Sequence, residues 1–299
     1  MVKIKKNVLG NVFALPTFQP DLFLEARMTR VFSLALSAVL LIAFSAFSAF
    51  SLAADFPGTK TNWQGFDCYQ FDINGRPAKV VCPKEPAAGN PWVWRAVFFG
   101  HEPQTEIAML NHGWYVAWIG TSDLLGSPKC NEERSSLYDL LTNSYGFSKK
   151  PVMLGMSRGG VCSLNWAIAN PDKVAGLYID APVCDLKSWP GGKGKGIGDP
   201  GSWKQAQTVF NMTEEELCDP AKMPVETCVV LAKHQVPIFI VAGDSDRVVP
   251  WDENGAILME NYKKAGGKCD LILKPGCDHH PHSLKDPAPI VEFMLNCVK

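Results

Sequence analysis

Pro151-Val152-Met153-Leu154-Gly155-Met156-Ser157-Arg158-Gly159-Gly160 is the stretch on which the fold turns. A short apolar run, PVML, leads straight into Gly-Met-Ser-Arg-Gly, and Ser157 to Ala169 then reads as a helix. Ser157 therefore stands at the corner between a strand and a helix. A hydroxyl there projects from the edge of a sheet, and glycines two residues either side let the two backbones approach. The helix that follows aims its N-terminal N–H groups at the same spot, which favours a developing oxyanion.

Working outward, the rhythm on both sides supports that reading. Trp92–Phe99 (WVWRAVFF), Tyr115–Ile119, Val152–Leu154, Gly176–Ile179, Ile238–Ala242 and Leu271–Leu273 are short, mostly apolar runs separated by helix-length stretches. The helices expected are Gln104–Asn111, Glu132–Thr142, Ser157–Ala169, Trp251–Ala265 and Ala288–Asn296. Apolar strands alternating with helices imply an α/β fold with a mostly parallel central sheet flanked by helices. Ahead of them, Gly65–Ile73 and Lys79–Cys82 read as antiparallel edge strands joined at Asn74-Gly75. The stretch from about 185 to 235 begins loop-rich (WPGGKGKGIGDPGSW) and becomes helical, which predicts a cap insertion over the C-terminal edge of the sheet.

A serine nucleophile on such a corner needs an acid and then a histidine downstream. After the strand IFIVA comes Gly-Asp-Ser-Asp-Arg-Val-Val-Pro, where Asp246 is favoured as the acid and Asp244 reads as a turn residue. After LIL comes Pro-Gly-Cys-Asp-His-His-Pro-His, where His279 is the first candidate for the base, with His280 and His282 as fallbacks. The oxyanion donors expected are the backbone N–H groups of Arg158 and His101, the latter in the loop after WVWRAVFF. Trp189, Trp203 and Trp251 could offer stacking faces to a sugar ring. The run Glu214–Glu216 could supply the paired carboxylates of an aminopeptidase, although it reads first as a helix start. Three histidines within four positions also suit a metal, yet no second cluster of ligand type accompanies them, so neither metal nor cofactor is expected.

Residues 31–54 form a long apolar run ending in small side chains, the form of a signal peptide, with Met28-Thr29-Arg30 as its positive start. Ser51 and Ala53 suit a cleavage site, so a mature chain of about 55–299 is expected, secreted or periplasmic and free of the membrane, with 1–27 an upstream extension. A retained membrane anchor is the rival reading. All 10 cysteines lie after the leader and lack the C-x2-C spacing of a zinc site. Disulfides are therefore expected, Cys68–Cys82 and Cys218–Cys228 first, with Cys162 a buried free thiol. The formal net charge of −1 argues against nucleic acid and leaves small-molecule or carbohydrate ester substrates as the partners.

G-M-S-R-G, G-D-S-D-R-V-V-P and D-H-H-P-H together resemble the α/β-hydrolase superfamily over Trp63–Lys299. The longer runs WRAVFFGHEPQTE, NWAIANPDKVAGLYIDAPVCDLKSWPGG and PGCDHHPHSL resemble its bacterial prolyl-oligopeptidase-like branch, and S-R-G is similar to glucuronoyl esterases. The resemblance implies a serine hydrolase working through Ser157, Asp246 and His279, but it brings no substrate with it. The exported chain and its tryptophan faces make a carboxylic-ester hydrolase acting on acetyl or other esters of a carbohydrate the leading expectation. A serine peptidase and a non-catalytic binding module on the same fold are the alternatives.

Overall fold

The computed structural model describes residues 56–299. The leader, its cleavage site near Ala53 and the start at Met28 lie outside the described residues. Among those described, no helix is long and apolar enough to cross a membrane.

Among the described residues nine strands form one sheet in the order β1-β2-β3-β5-β4-β6-β7-β8-β9. Here β1 is Thr59–Trp63, β2 Phe66–Ile73, β3 Arg76–Cys82, β4 Trp92–Arg95, β5 Tyr115–Ile119, β6 Val152–Met156, β7 Gly176–Asp180, β8 Ile238–Gly243 and β9 Cys269–Lys274. β1, β2 and β3 pair antiparallel, β3 meets β5 antiparallel, and everything from β5 to β9 is parallel. The hairpin between β2 and β3 closes at Asn74-Gly75, both with positive φ, while Asp72 accepts from the Gly75 N–H at 2.7 Å. That is the two-residue turn the Asn-Gly pair predicts. β1 has no counterpart among the expected strands. Its residues, TKTNW, are polar and lie exposed or half-buried on the sheet edge, so no alternation marks them.

Among the described residues the helices are α1 (Gln104–Asn111), α2 (Pro128–Ser144), α3 (Gly159–Ala169), α4 (Pro200–Phe210), α5 (Glu214–Leu217), α6 (Pro224–Thr227), α7 (Val229–Lys233), α8 (Gly255–Lys264) and α9 (Ala288–Asn296). One face of the sheet packs Trp92 and Trp94 against Leu137 and Leu141 of α2, Leu164 of α3 and Leu258 of α8. The other packs Val93 and Val116 against Met109 and Leu110 of α1 and Ile290 and Met294 of α9. Both faces are covered, which is why the central strands read as continuous apolar runs.

The expected cap resolves into two parts. α4 lies against the turn Ser122–Leu124, which follows β5, whereas α6 and α7 pack on α3 and α8 as ordinary covering helices of the sheet. The disulfides expected are corrected: among the described residues all ten cysteines are unpaired. For Cys68 and Cys82 the register gives the reason. Cys68 lies opposite Val81, so Cys82 points to the other face, and the two thiols belong to different cores. Cys218 is half-buried at the end of α5, while the Cys228 thiol is buried and turned to the carbonyls of Val225 and Leu258. Cys162 is a buried free thiol, as expected.

Candidate active site

The corner between β6 and α3 is built by close backbone contact. A Cβ on Gly155 would lie 2.4 Å from the Gly159 carbonyl, and one on Gly160 would lie 2.6 Å from Pro182 Cβ. Only glycine permits that approach. Ser157 takes φ +52°, held by its N–H donating to the Asp180 carbonyl at 2.9 Å and its own carbonyl accepting from Gly160 and Val183. A non-glycine residue at positive φ is strained, and it persists here because three backbone bonds fix it.

The three chain-distant residues read as nucleophile, base and acid come together. His279 Nε2 lies 3.0 Å from Ser157 Oγ, and His279 Nδ1 lies 2.7 Å from Asp246 Oδ2. The other Asp246 oxygen accepts from the N–H groups of Val248 and Val249, both at 2.8 Å. Asp246 is thus fixed by backbone donors and by the imidazole together, and all three side chains are buried. Asp244 is the turn residue expected of it, accepting from Gly276 N–H and Ser245 Oγ. A second link aligns the loops. Asp278 accepts from the Arg247 N–H and Nε at 2.9 and 2.7 Å and from the His279 N–H at 2.8 Å, so the residue after Asp246 is tied to the residue before His279. Those bonds, the Arg247 backbone N–H first, then its side chain, then the His279 N–H, hold the Asp278 carboxyl down at about 2.

Of the two backbone N–H groups expected to face an oxyanion, one is engaged elsewhere. Arg158 caps the start of α3, so its N–H is among those a helix leaves without an intrahelical acceptor. The His101 N–H is instead spent inside its own turn, donating to the Phe98 carbonyl at 3.0 Å. The reason lies in Arg95, a fully buried guanidinium that sequence reading passed over. It donates to the carbonyls of Val97 (2.7 Å), Phe98 (2.9 Å) and His101 (2.8 Å), and pairs with the buried Glu106 of α1 at 2.6 Å. Turning the Val97 and Phe98 carbonyls inward turns the N–H groups of Phe98 and Phe99 outward, because C=O and N–H oppose each other across a trans peptide. A lone arginine inside the apolar run WVWRAVFF was the available signal.

A cavity of about 430 Å³ opens on Ser157, lined by Phe98, Phe99, His101, His279, His280 and His282. None of the three tryptophans expected to bind substrate lines it. Trp189 is buried with the Arg158 guanidinium over its ring, Trp203 packs beside Lys193 and Glu214, and Trp251 lies in a separate depression behind Asp246. Glu214 and Glu216 are engaged as well, Glu214 by Lys193 and Glu216 by the capping box with Thr213 and by Lys222.

His280 and His282 do not approach Ser157 as bases. His282 Nδ1 pairs instead with the buried Asp180 Oδ1 at 2.8 Å, while Asp180 Oδ2 accepts from Tyr178 Oη at 2.7 Å and the Ser283 N–H at 2.8 Å. His101 joins the group from the loop after β4, with ring centroids 5.8 Å from His280 and 5.6 Å from His282. Burial first, then the neighbouring His282, lowers the pKa of both His101 and His280.

No family model and no curated protein matches the chain. Solved structures do resemble it. Est1E from Butyrivibrio proteoclasticus aligns with a TM-score of 0.52 and 18% identity over 81% of this chain and 99% of that one. A candidate dipeptidyl aminopeptidase IV from Bacteroides ovatus ATCC 8483 aligns with a TM-score of 0.55 and 14% identity over 81% of this chain. The chain spans only 36% of that protein's length. The sheet order, the corner at Ser157 and these likenesses give the chain the α/β-hydrolase fold.

Proposed function

We propose that this chain is a serine hydrolase that cleaves carboxylic esters through an acyl-enzyme. The observation that carries the reading is the continuous Ser157–His279–Asp246 hydrogen-bond chain at 3.0 and 2.7 Å, seated on the strained corner. His279 Nδ1–H donates to Asp246, which leaves Nε2 to accept the Ser157 proton as the hydroxyl attacks the ester carbonyl. The N–H of Arg158 and the outward N–H groups of the Phe98–Phe99 segment stabilise the oxyanion. His279 then gives its proton to the leaving alcohol and activates the water that frees the acid.

The substrate in this proposal is a short-chain ester of the acetylated-carbohydrate class, and its aromatic face is supplied by Phe98, 39% exposed, and Phe99, which both line the cavity. Export after cleavage near Ala53 belongs to the same proposal. Engagement of two of the three cap glutamates weighs against an aminopeptidase. The test is fluorophosphonate labelling of the full chain beside its Ser157→Ala variant, followed by hydrolysis of p-nitrophenyl acetate. Labelling and turnover that both vanish in the variant are expected. A folded protein that takes no label would leave a non-catalytic binding module as the better reading.

A further inference from the structure

The histidines that the triad does not use form a second group with the geometry of metal ligands. One nitrogen each of His101, His280 and His282 lies within 4.8 Å of the others, and this is a group of metal-ligand type found among the described residues. They come from two loops, and sequence spacing alone joins only two of them. His282 is already oriented: its Nδ1 is taken by Asp180, a carboxylate buried completely and saturated by Tyr178 and Ser283, so Nε2 is the atom left for a ligand. A carboxylate behind a ligating imidazole is the usual outer partner of a bound cation, because it fixes the ring and raises the basicity of the other nitrogen. His101 and His280 are exposed and can rotate, while the His101 backbone is anchored through its carbonyl to Arg95. His279 stands close by, its ring 4.8 Å from that of His282, but both its nitrogens are engaged by Asp246 and Ser157.

We propose that His101, His280 and His282 bind one divalent transition-metal ion, Zn²⁺ in the first place, in the cavity beside Ser157. Tetrahedral zinc with Zn–N of about 2.0–2.1 Å sets its ligand nitrogens about 3.4 Å apart. The two exposed rings therefore need to close by roughly 1.4 Å on the fixed His282, a side-chain rotation. Three neutral imidazoles suit Zn²⁺ and its neighbours in the first transition row better than Mg²⁺ or Ca²⁺, which prefer oxygen. The fourth position opens onto the cavity, where a water or a substrate oxygen completes the site. Binding of the ion does not rest on the hydrolase reading, since neither Ser157 nor His279 is a ligand.

Cobalt titration of the metal-stripped full chain tests this, read by visible ligand-field absorption and by competition with Zn²⁺ in calorimetry. One ion per chain is expected, with the band of a four- or five-coordinate site. His101→Ala and His280→Ala, both exposed positions, should each weaken binding by at least the 10–100-fold that loss of an outer partner costs. Ser157→Ala should bind as the wild type does, so a protein that hydrolyses nothing can still uphold the site. Absence of stoichiometric uptake overturns the proposal. So does uptake that survives both histidine variants, uptake that vanishes in His279→Ala alone, or thiolate charge-transfer absorption, which would place the ion on cysteine.

Discussion

Two aspartate–histidine pairs lie side by side at the end of the sheet, Asp246–His279 at 2.7 Å and Asp180–His282 at 2.8 Å, with imidazole centroids 4.8 Å apart. Each carboxylate is buried and saturated by other donors, and each fixes the tautomer of its ring through Nδ1. They differ in what the far nitrogen meets. For His279 it is the Ser157 hydroxyl; His282 has no such partner and lines the cavity together with His101, His279 and His280. The pairing itself is thus a device for aiming a nitrogen, and the chemistry comes from the partner at which it is aimed. Asp180 serves both sides, because its carbonyl holds the Ser157 N–H while its side chain holds His282.

The comparison can be broken by treating the two carboxylates alike. Asp246→Asn should lower kcat for p-nitrophenyl acetate by about 10⁴ while Ser157 stays in place, since the wrong tautomer is then favoured. The largest effect after that belongs to Glu106→Gln, which strips the partner from buried Arg95. We expect kcat to fall about 10²-fold as the oxyanion donors lose their aim, and unfolding free energy to fall by about 3–5 kcal/mol in denaturant titration. Asp180→Asn should weaken cobalt binding about 10–100-fold yet cost kcat less than Asp246→Asn does. Equal catalytic losses in the two aspartate variants would end the distinction drawn between the pairs. The smallest effect is expected of Arg247→Ala, a few-fold in kcat. Asp278 has a folded pKa of about 2, below the ordinary 3.8, so what it contributes to stability is present above that ordinary value and lost as pH falls toward 2. The difference in thermal midpoint between wild type and Arg247→Ala should accordingly hold constant from about pH 5 upward and shrink below about pH 4.

The strand–corner–helix at Ser157 was legible because its signals are local: an apolar run, glycines at fixed offsets and a helical period in one segment. Asp246 and His279 were legible by order and by their place after strands. The cap, the donor from the oxyanion loop and the histidine cluster were legible only in part. Each depends on contacts between residues far apart in the chain, such as Arg95 with Glu106, or His101 with His282. Tryptophan counts are a weak guide for a related reason. Composition reports how many large aromatic rings exist, whereas burial decides that Trp189 goes under Arg158 and that Phe98 is the ring exposed at the cavity. Cysteine counts are a weak guide likewise, since strand register set Cys68 and Cys82 on opposite faces.

Arg95 has a consequence for how activity would be lost. Its one side chain joins β4, the loop Val97–His101 and helix α1, and it is tolerable in the interior only while all three are docked. Detaching α1 would strand a buried cation and release the loop carbonyls in the same event. The loop Val97–His101 and α1 are therefore expected to come away together. Under rising denaturant, the amide protons of α1 should begin to exchange at the concentration where hydrolysis stops, with the remainder of the sheet still protected.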